Sequence, residues 1–70
     1  MWVLRKNIET GTVHAVEMPK GRTPHGFALN WPLMETTDPL NCPTCINMAW
    51  RWRYADAELY ALLPPDPSAN

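Results

Sequence analysis

The sequence predicts a small α+β domain, in which a two- or three-stranded antiparallel sheet packs against one C-terminal helix. Two patterns in the chain predict this class. Residues 2–8 and 12–18 flank Glu9-Thr10-Gly11, a short connection typical of a β-hairpin. Apolar residues then recur every three or four positions between residues 43 and 63, as they do on one face of a helix.

The hairpin connection suggests a register for the two strands. Gly11 can adopt the left-handed conformation that closes a hairpin with a bulge, which sets Ile8 opposite Thr12. The pairs that follow are Lys6 with His14, Leu4 with Val16 and Trp2 with Met18. Side chains alternate between the faces of a strand, so this register places His14 on the apolar face.

The middle of the chain carries weaker patterns. Residues 19–24 begin and end with proline and are predicted to form a mobile loop, whereas residues 26–29 are a candidate third strand. Two pairs, Trp31-Pro32 and Asp38-Pro39, are expected to interrupt regular structure before the first cysteine.

The C-terminal helix is predicted from Pro43 to Leu63. Its apolar stripe consists of Cys45, Met48, Trp52, Ala55, Leu59 and Leu62. Asn41 is the predicted N-cap, and Pro43 suits the first turn because its missing amide hydrogen has no partner there. Two prolines follow the helix, so we expect one domain over residues 1–63 and a flexible tail over 64–70.

Composition excludes several classes of protein. Hydrophobic residues make up 46% of the 70 residues and charged ones 19%, which favours a folded domain over a disordered chain. The net charge of −1 provides no overall basic field for nucleic acid. Charges come too early for a signal peptide and no apolar run is long enough for a membrane span, so we expect a cytoplasmic protein that does not bind membranes.

A metal site is the most specific chemistry in this sequence. Cys42 and Cys45 have the Cys-x-x-Cys spacing that supplies two zinc ligands from one tight turn, at the predicted start of the helix. His14 and His25 complete a set of four, and Gly26 lets the backbone bend beside His25. We therefore predict one structural zinc ion.

Alternatives to single ligands remain open at this point. A lone histidine on an apolar face is more often a packed core residue than a ligand. The carboxylate of Asp38 or of Glu17 is an alternative ligand in place of one histidine. With zinc joining hairpin, loop and helix start, the expected arrangement is treble-clef-like or zinc-ribbon-like. A domain this short buries little apolar surface, which makes a metal an effective source of stability.

The order of these motifs resembles small uncharacterised zinc-finger proteins of actinobacteria and their phages. The resemblance covers residues 13–50 and is carried by His14, then His25-Gly26, then Cys42-Pro43-Thr44-Cys45 opening a helix. His25 stands where that pattern usually has cysteine, and histidine is an equally acceptable zinc ligand. The resemblance implies a zinc-bound fold, and a phage-encoded protein as one source, but it implies almost nothing about function.

For function, the sequence favours a protein-protein interaction or regulatory module with an unidentified protein partner. If Trp52 faces the core, Trp50 lies nearer solvent, where tryptophan is an effective binding anchor, and Arg51 and Arg53 flank it. The alternative is a zinc-dependent nucleic-acid-binding, transcription-regulating protein in which the same residues provide cations and stacking surfaces. We predict no enzyme, because all four metal ligands are used to close the site and the chain is too short for a thioredoxin-like βαβ unit.

Overall fold

The structure confirms the predicted α+β class, since an antiparallel sheet is followed by helical segments. The computed structural model describes residues 1–28 and 30–64. In chain order the elements are β1 (Trp2–Asn7), β2 (Val13–Glu17), β3 (Arg22–Thr23), β4 (Gly26–Phe27), β5 (Leu33–Glu35), α1 (Pro43–Arg51) and α2 (Ala57–Tyr60). The strands form one sheet in the order β4-β3-β2-β1-β5, and all their pairings are antiparallel.

The described part of the sheet has five strands, which is more than the two or three predicted. β3 lies inside the segment 19–24 that the prolines predict as a loop, and β5 follows directly on Trp31-Pro32. Strands of two or three residues are too short to show an alternating pattern, so their pairing with β1 and β2 rather than their own sequence defines them. The candidate third strand is present as Gly26–Phe27, while Leu29 lies outside the described residues.

The register of β1 with β2 differs by one residue from the predicted one. Arg5 pairs with His14, and Leu4 pairs with Ala15. Because a one-residue shift moves every side chain of one strand to the other face relative to its partner, His14 shares a face with Arg5 rather than with Leu4. The prediction that His14 shares a face with Leu4 and Trp2 is therefore wrong, whereas His14 and the buried Val16 do lie on one face of β2.

Asn7 explains the shift of register. Its side-chain Oδ1 accepts hydrogen bonds from the amides of Glu9 at 2.9 Å and Thr10 at 3.2 Å, which folds the connection back on itself. Ile8 thus joins the connection, where its side chain is 61% exposed and its amide donates to Pro32 at 2.9 Å. Gly11 adopts φ 77° as expected, but the connection is longer than the three residues predicted.

The single predicted helix is two helices separated by a turn. α1 ends at Arg51, the amide of its C-cap residue Trp52 donates to the carbonyls of Met48 and Trp50, and α2 begins after the N-cap residue Asp56. Ala55, predicted to belong to the buried stripe, lies in this turn and is exposed. The predicted tail from residue 65 onward lies outside the described residues.

The core lies between the helices and one face of the hairpin. Its buried members are Trp2, Ala15, Leu40, Cys42, Cys45, Ala49 and Leu59. Both cysteines belong to this cluster, so whatever the sulfur atoms bind is in contact with the core. Among the described residues, no helix has the length and apolar character needed to cross a membrane.

Candidate metal centre

The loop before α1 lies against the edge of β2 that faces away from β1. Val13 donates its amide to Asn41 Oδ1 at 2.7 Å, and its carbonyl accepts from the amides of Asn41 at 3.3 Å and Cys42 at 3.1 Å. This edge is available because β3 pairs with β2 only at Glu17. The predicted role of Asn41 as N-cap is wrong, since its side chain anchors the loop to β2 instead.

Cys42 is the N-cap of α1. Its backbone is extended, with φ −70° and ψ 116°, and its sulfur accepts a hydrogen bond from the amide of Cys45 at 3.5 Å. Pro43 follows at the first helical position, where it needs no hydrogen-bond partner for its nitrogen. The helix start therefore holds both sulfurs at one point, and the Cys45 amide stabilises negative charge on Cys42 Sγ.

His25 is presented by the tight turn between β3 and β4. The buried Thr23 holds this turn, because its Oγ1 donates to the carbonyl of Gly26 at 2.8 Å and accepts from the amide of His25 at 3.3 Å. Gly26 adopts φ 146°, a backbone conformation that residues other than glycine rarely adopt. The expectation that Gly26 lets the backbone bend beside His25 agrees with this geometry.

The structure brings all four predicted ligands together. One donor atom from each of His14, His25, Cys42 and Cys45 lies within 4.8 Å of the other three. Cys42 Sγ is 3.7 Å from His25 Nε2, and Cys45 Sγ is 3.8 Å from His14 Nδ1. Zinc with ordinary Zn–S and Zn–N bond lengths in a tetrahedron separates sulfur from nitrogen by about 3.6 Å. The donor atoms are close enough to bind one metal ion.

His14 reaches this point from the face of β2 opposite to Ala15. The cysteines lie beside the strand edge rather than above one face, as the hydrogen bonds of Val13 show, so a side chain from either face can approach them. His14 is 8% exposed and His25 is exposed to solvent, which gives the site a buried side and an open side.

Neither substitute ligand joins this cluster. Asp38 Oδ2 accepts a hydrogen bond from Lys6 Nζ at 3.1 Å, and Glu17 Oε1 lies 2.8 Å from Arg22 Nη2. Both carboxylates are thus occupied by cations of the sheet, and the set of two histidines and two cysteines is the one that the fold assembles.

Burial sets the protonation of the two buried donors. Desolvation lowers the pKa of His14 below 6.5, with a further contribution from the charge of His25, so the imidazole is neutral at pH 7. Desolvation also raises the pKa of Cys45 from 9.0 to about 12, against the opposing effect of a backbone hydrogen bond from Ala15. A neutral imidazole is ready to bind a metal, whereas the Cys45 thiol must lose its proton to do so.

Trp31 is a site residue that the sequence reasoning missed. Its ring centroid lies 4.9 Å from that of His14 and 5.9 Å from that of His25, and the two imidazoles are 5.6 Å apart. Sequence patterns identify Trp31 only as part of a Trp-Pro break, because its approach to the histidines depends on β5 pairing with β1. The indole covers the histidine side of the cluster.

The residues predicted to bind a partner lie at the end of α1. Trp50 is 46% exposed, as expected, and contacts Tyr60 edge-to-face with 5.4 Å between ring centroids. Arg53 donates to the carbonyl of Trp50 at 3.0 Å, and its guanidinium lies 4.6 Å from the ring centroid of Tyr54. The structure therefore adds Tyr54 and Tyr60 to this surface. Both tyrosines lie outside the predicted stripe, and the break between the helices places them beside Trp50 and Arg53.

Charged side chains beside the helix break and on the sheet bind partners within the chain. Asp56 Oδ2 accepts a hydrogen bond from Trp2 Nε1 at 2.8 Å. Arg5, Lys6 and Arg22 lie within 4.0 Å of Glu35, Asp38 and Glu17 respectively.

Comparison of this chain with protein-family models, with curated proteins and with solved structures gives no match. The function must therefore be argued from the site itself.

Proposed function

We propose that this chain is a structural-zinc protein whose metal holds the fold together and whose surface at the end of α1 binds a partner protein. The observation that carries the zinc assignment is the meeting of four donor atoms within 4.8 Å of one another. They come from β2, from the β3–β4 turn and from the start of α1.

The donor set favours zinc over other metals. Two sulfurs and two imidazole nitrogens are a donor set typical of zinc, whereas calcium and magnesium require oxygen ligands. The neutral His14 and the hydrogen bond from the Cys45 amide to Cys42 Sγ both suit a positively charged ion with thiolate ligands. When bound, zinc would join the sheet to the helix.

The same geometry supports a structural role rather than a catalytic one. Catalytic zinc sites keep one coordination position for water or substrate, whereas structural sites use four protein ligands. Three of the four residues here, His14, Cys42 and Cys45, are buried. Since the core cluster contains both cysteines, the metal supplements a small core instead of lining a substrate cleft.

The metal content tests this proposal first. Protein purified without added zinc is expected to contain about one equivalent of zinc by elemental analysis, and a chelator is expected to unfold it, because structural zinc is worth about 10–16 kcal/mol in zinc-finger peptides. Cys45→Ser should lose the metal, while Met34→Ala, at a half-exposed position on β5, should retain it. A protein that is folded and free of metal would contradict the zinc assignment.

The observation that supports a protein partner is the exposure of Trp50. This side chain is 46% exposed, whereas Trp2 is buried in the core. Trp50, Arg51 and Arg53 then form the predicted contact surface, because exposed tryptophan and arginine are the residue types that carry most binding energy in protein interfaces. Capture of a partner from lysate should be lost in Trp50→Ala and kept in Met34→Ala. Equal recovery with both variants would argue against Trp50 as the anchor.

Nucleic-acid binding is the second candidate, favoured by the contact of Arg53 with the ring of Tyr54. The pairing of Arg5, Lys6 and Arg22 with carboxylates weighs against it. If oligonucleotides bind at low salt and Arg51→Ala and Arg53→Ala weaken that binding, this candidate replaces the protein partner.

A further inference from the structure

The surface at the end of α1 carries three exposed aromatic side chains and one arginine that contacts two of these residues. Tyr60 contacts Trp50, Arg53 donates to the carbonyl of Trp50, and the Arg53 guanidinium lies against Tyr54. Tyr54 is 88% exposed and Tyr60 is 36% exposed. We call Trp50, Arg53, Tyr54 and Tyr60 the aromatic surface.

The carboxylates nearest in sequence face away from this cation. Asp56 accepts hydrogen bonds from the Trp2 indole and from the amide of Leu59, and Glu58 accepts from the amide of Trp2. Within residues 1–28 and 30–64, no carboxylate lies within 4.0 Å of Arg51 or Arg53. The aromatic surface is thus positively charged on a chain whose net charge is −1.

We propose that the aromatic surface binds an acidic peptide segment of the partner protein. In this arrangement a carboxylate of the segment accepts hydrogen bonds from the Arg53 guanidinium, and an adjacent apolar side chain packs against Trp50 and Tyr60. Arginine suits this role because the planar N–H donors of its guanidinium match the two oxygens of a carboxylate. One donor of Arg53 is used within the chain, and the others remain available. This inference rests on the proposed interaction function and specifies the chemistry of the partner.

A peptide fits the geometry better than a nucleic acid does. The rings of Trp50 and Tyr60 meet at 80°, so they form a corner rather than a row of parallel faces on which successive bases stack. Nucleic-acid binding also relies on several phosphate contacts, and the basic residues of β1 and β3 are paired with carboxylates. The corner between Trp50 and Tyr60 suits one apolar side chain of a peptide, and the Arg53 guanidinium beside it suits a neighbouring acidic side chain.

Selection from a phage-displayed library of random short peptides on the immobilised, zinc-loaded protein tests this. The expected outcome is enrichment of peptides in which aspartate or glutamate neighbours an apolar residue. A synthetic enriched peptide should then bind at least about tenfold more weakly to Trp50→Ala and to Arg53→Ala, as anchors at interface centres do. Met34→Ala and Lys20→Ala, an exposed apolar and an exposed basic position elsewhere, should bind it unchanged.

Charge exchange separates a direct contact from an effect on folding. Arg53→Glu should reject the acidic peptide and accept the same peptide with its acidic residues changed to lysine. Enrichment without acidic bias, equal loss of binding in the control variants, or tighter binding of a single-stranded oligonucleotide than of any peptide would overturn the inference. Zinc content measured on the same samples keeps the two proposals apart. A zinc-loaded protein that selects no acidic peptide refutes this inference and leaves the structural zinc intact.

Discussion

At the scale of single residues, Trp31 lies against both histidines of the candidate metal centre, on the side where His25 is exposed. His25 is exposed, but its ring and that of His14 both lie within 6 Å of the Trp31 ring centroid, at 5.9 and 4.9 Å. Aromatic contacts of this kind are worth about 0.5–1.5 kcal/mol. Trp31 thus restricts the motion of the one ligand that solvent and competing chelators can reach.

We predict that Trp31→Ala accelerates zinc release by roughly 2- to 10-fold, the range that the loss of such contacts implies. Transfer of zinc to a chromogenic chelator measures the rate directly. Trp31→Phe should stay near the wild-type rate because it keeps a ring, and Trp50→Ala should match wild type because its ring contacts Tyr60 instead of a ligand. Equal rates in Trp31→Ala and wild type would show that the indole does not shield the site.

The protonation of His14 and Cys45 predicts how zinc binding depends on pH. The depressed pKa of His14 means that its neutral form stabilises the fold fully above pH 6.5, and that this contribution is lost as the pH falls through its lowered pKa. The pKa of Cys45 is raised to about 12, so this residue is a thiol at neutral pH until the metal displaces its proton. Zinc affinity should therefore rise with pH, and binding should release protons.

Calorimetry in buffers of different ionisation enthalpy counts these protons. At pH 7 we expect at least the proton of Cys45 to be released, because zinc binds cysteine as the thiolate. A binding enthalpy that does not depend on the buffer would mean that Cys45 does not bind the metal as a thiolate.

At the scale of elements, Asp56 explains why the C-terminal helix is interrupted. Its Oδ1 caps α2 by accepting from the amide of Leu59 at 3.1 Å, and its Oδ2 binds the Trp2 indole at 2.8 Å. A continuous helix would place Asp56 in an interior turn, where its side chain could not cap α2. Because the helix is interrupted here, Asp56 can link α2 to Trp2 of β1. This link holds α2 in place, with Leu59 in the core.

We predict that Asp56→Ala lowers the free energy of unfolding by about 2 kcal/mol, the sum of a helix cap and one hydrogen bond. Asp56→Asn should cost less, because asparagine is an equally good N-cap and loses only the bond to the indole. Urea unfolding of the zinc-loaded proteins measures both values. The loss in the double variant Asp56→Asn with Trp2→Phe should be smaller than the sum of the two single losses, because both changes remove the same hydrogen bond, whereas full additivity would show that the two side chains act independently.

At the scale of the whole molecule, the candidate metal ligands and the core share residues. Cys42 and Cys45 lie in the same buried cluster as Trp2, Leu40 and Leu59, so the metal is expected to couple hairpin, loop and helix into one unit. Small domains bury too little surface for a large margin of stability. Folding and zinc binding should therefore be a single equilibrium.

If so, stability should depend on the concentration of free zinc. A ligand that binds only the folded state adds about 1.4 kcal/mol for each tenfold increase in its concentration above the dissociation constant. Urea midpoints measured in zinc buffers should shift accordingly for the wild-type protein, whereas Cys45→Ser should gain no folded state as the zinc concentration rises. A wild-type midpoint that does not change with zinc would show that the fold forms without the metal.

Local patterns predicted a large part of this protein. The Cys-x-x-Cys pair at a helix start, the hairpin around Gly11 and the exposure of Trp50 all follow from spacings of a few residues, and the structure contains each of them. The register was not predictable in the same way. One side-chain hydrogen-bond acceptor, Asn7 Oδ1, moved Ile8 into the connection and so shifted every pair along β1.

By itself the sequence determined the α+β class, the start of the helix and the four residues able to bind a metal, because these depend on residue type and local spacing. Only the tertiary structure decided that His14 approaches the cysteines past the edge of β2, that Trp31 covers both histidines and that Asp56 divides the helix. Each of these contacts joins segments far apart in the chain. Such contacts depend on the packing of the whole molecule, which no local pattern encodes.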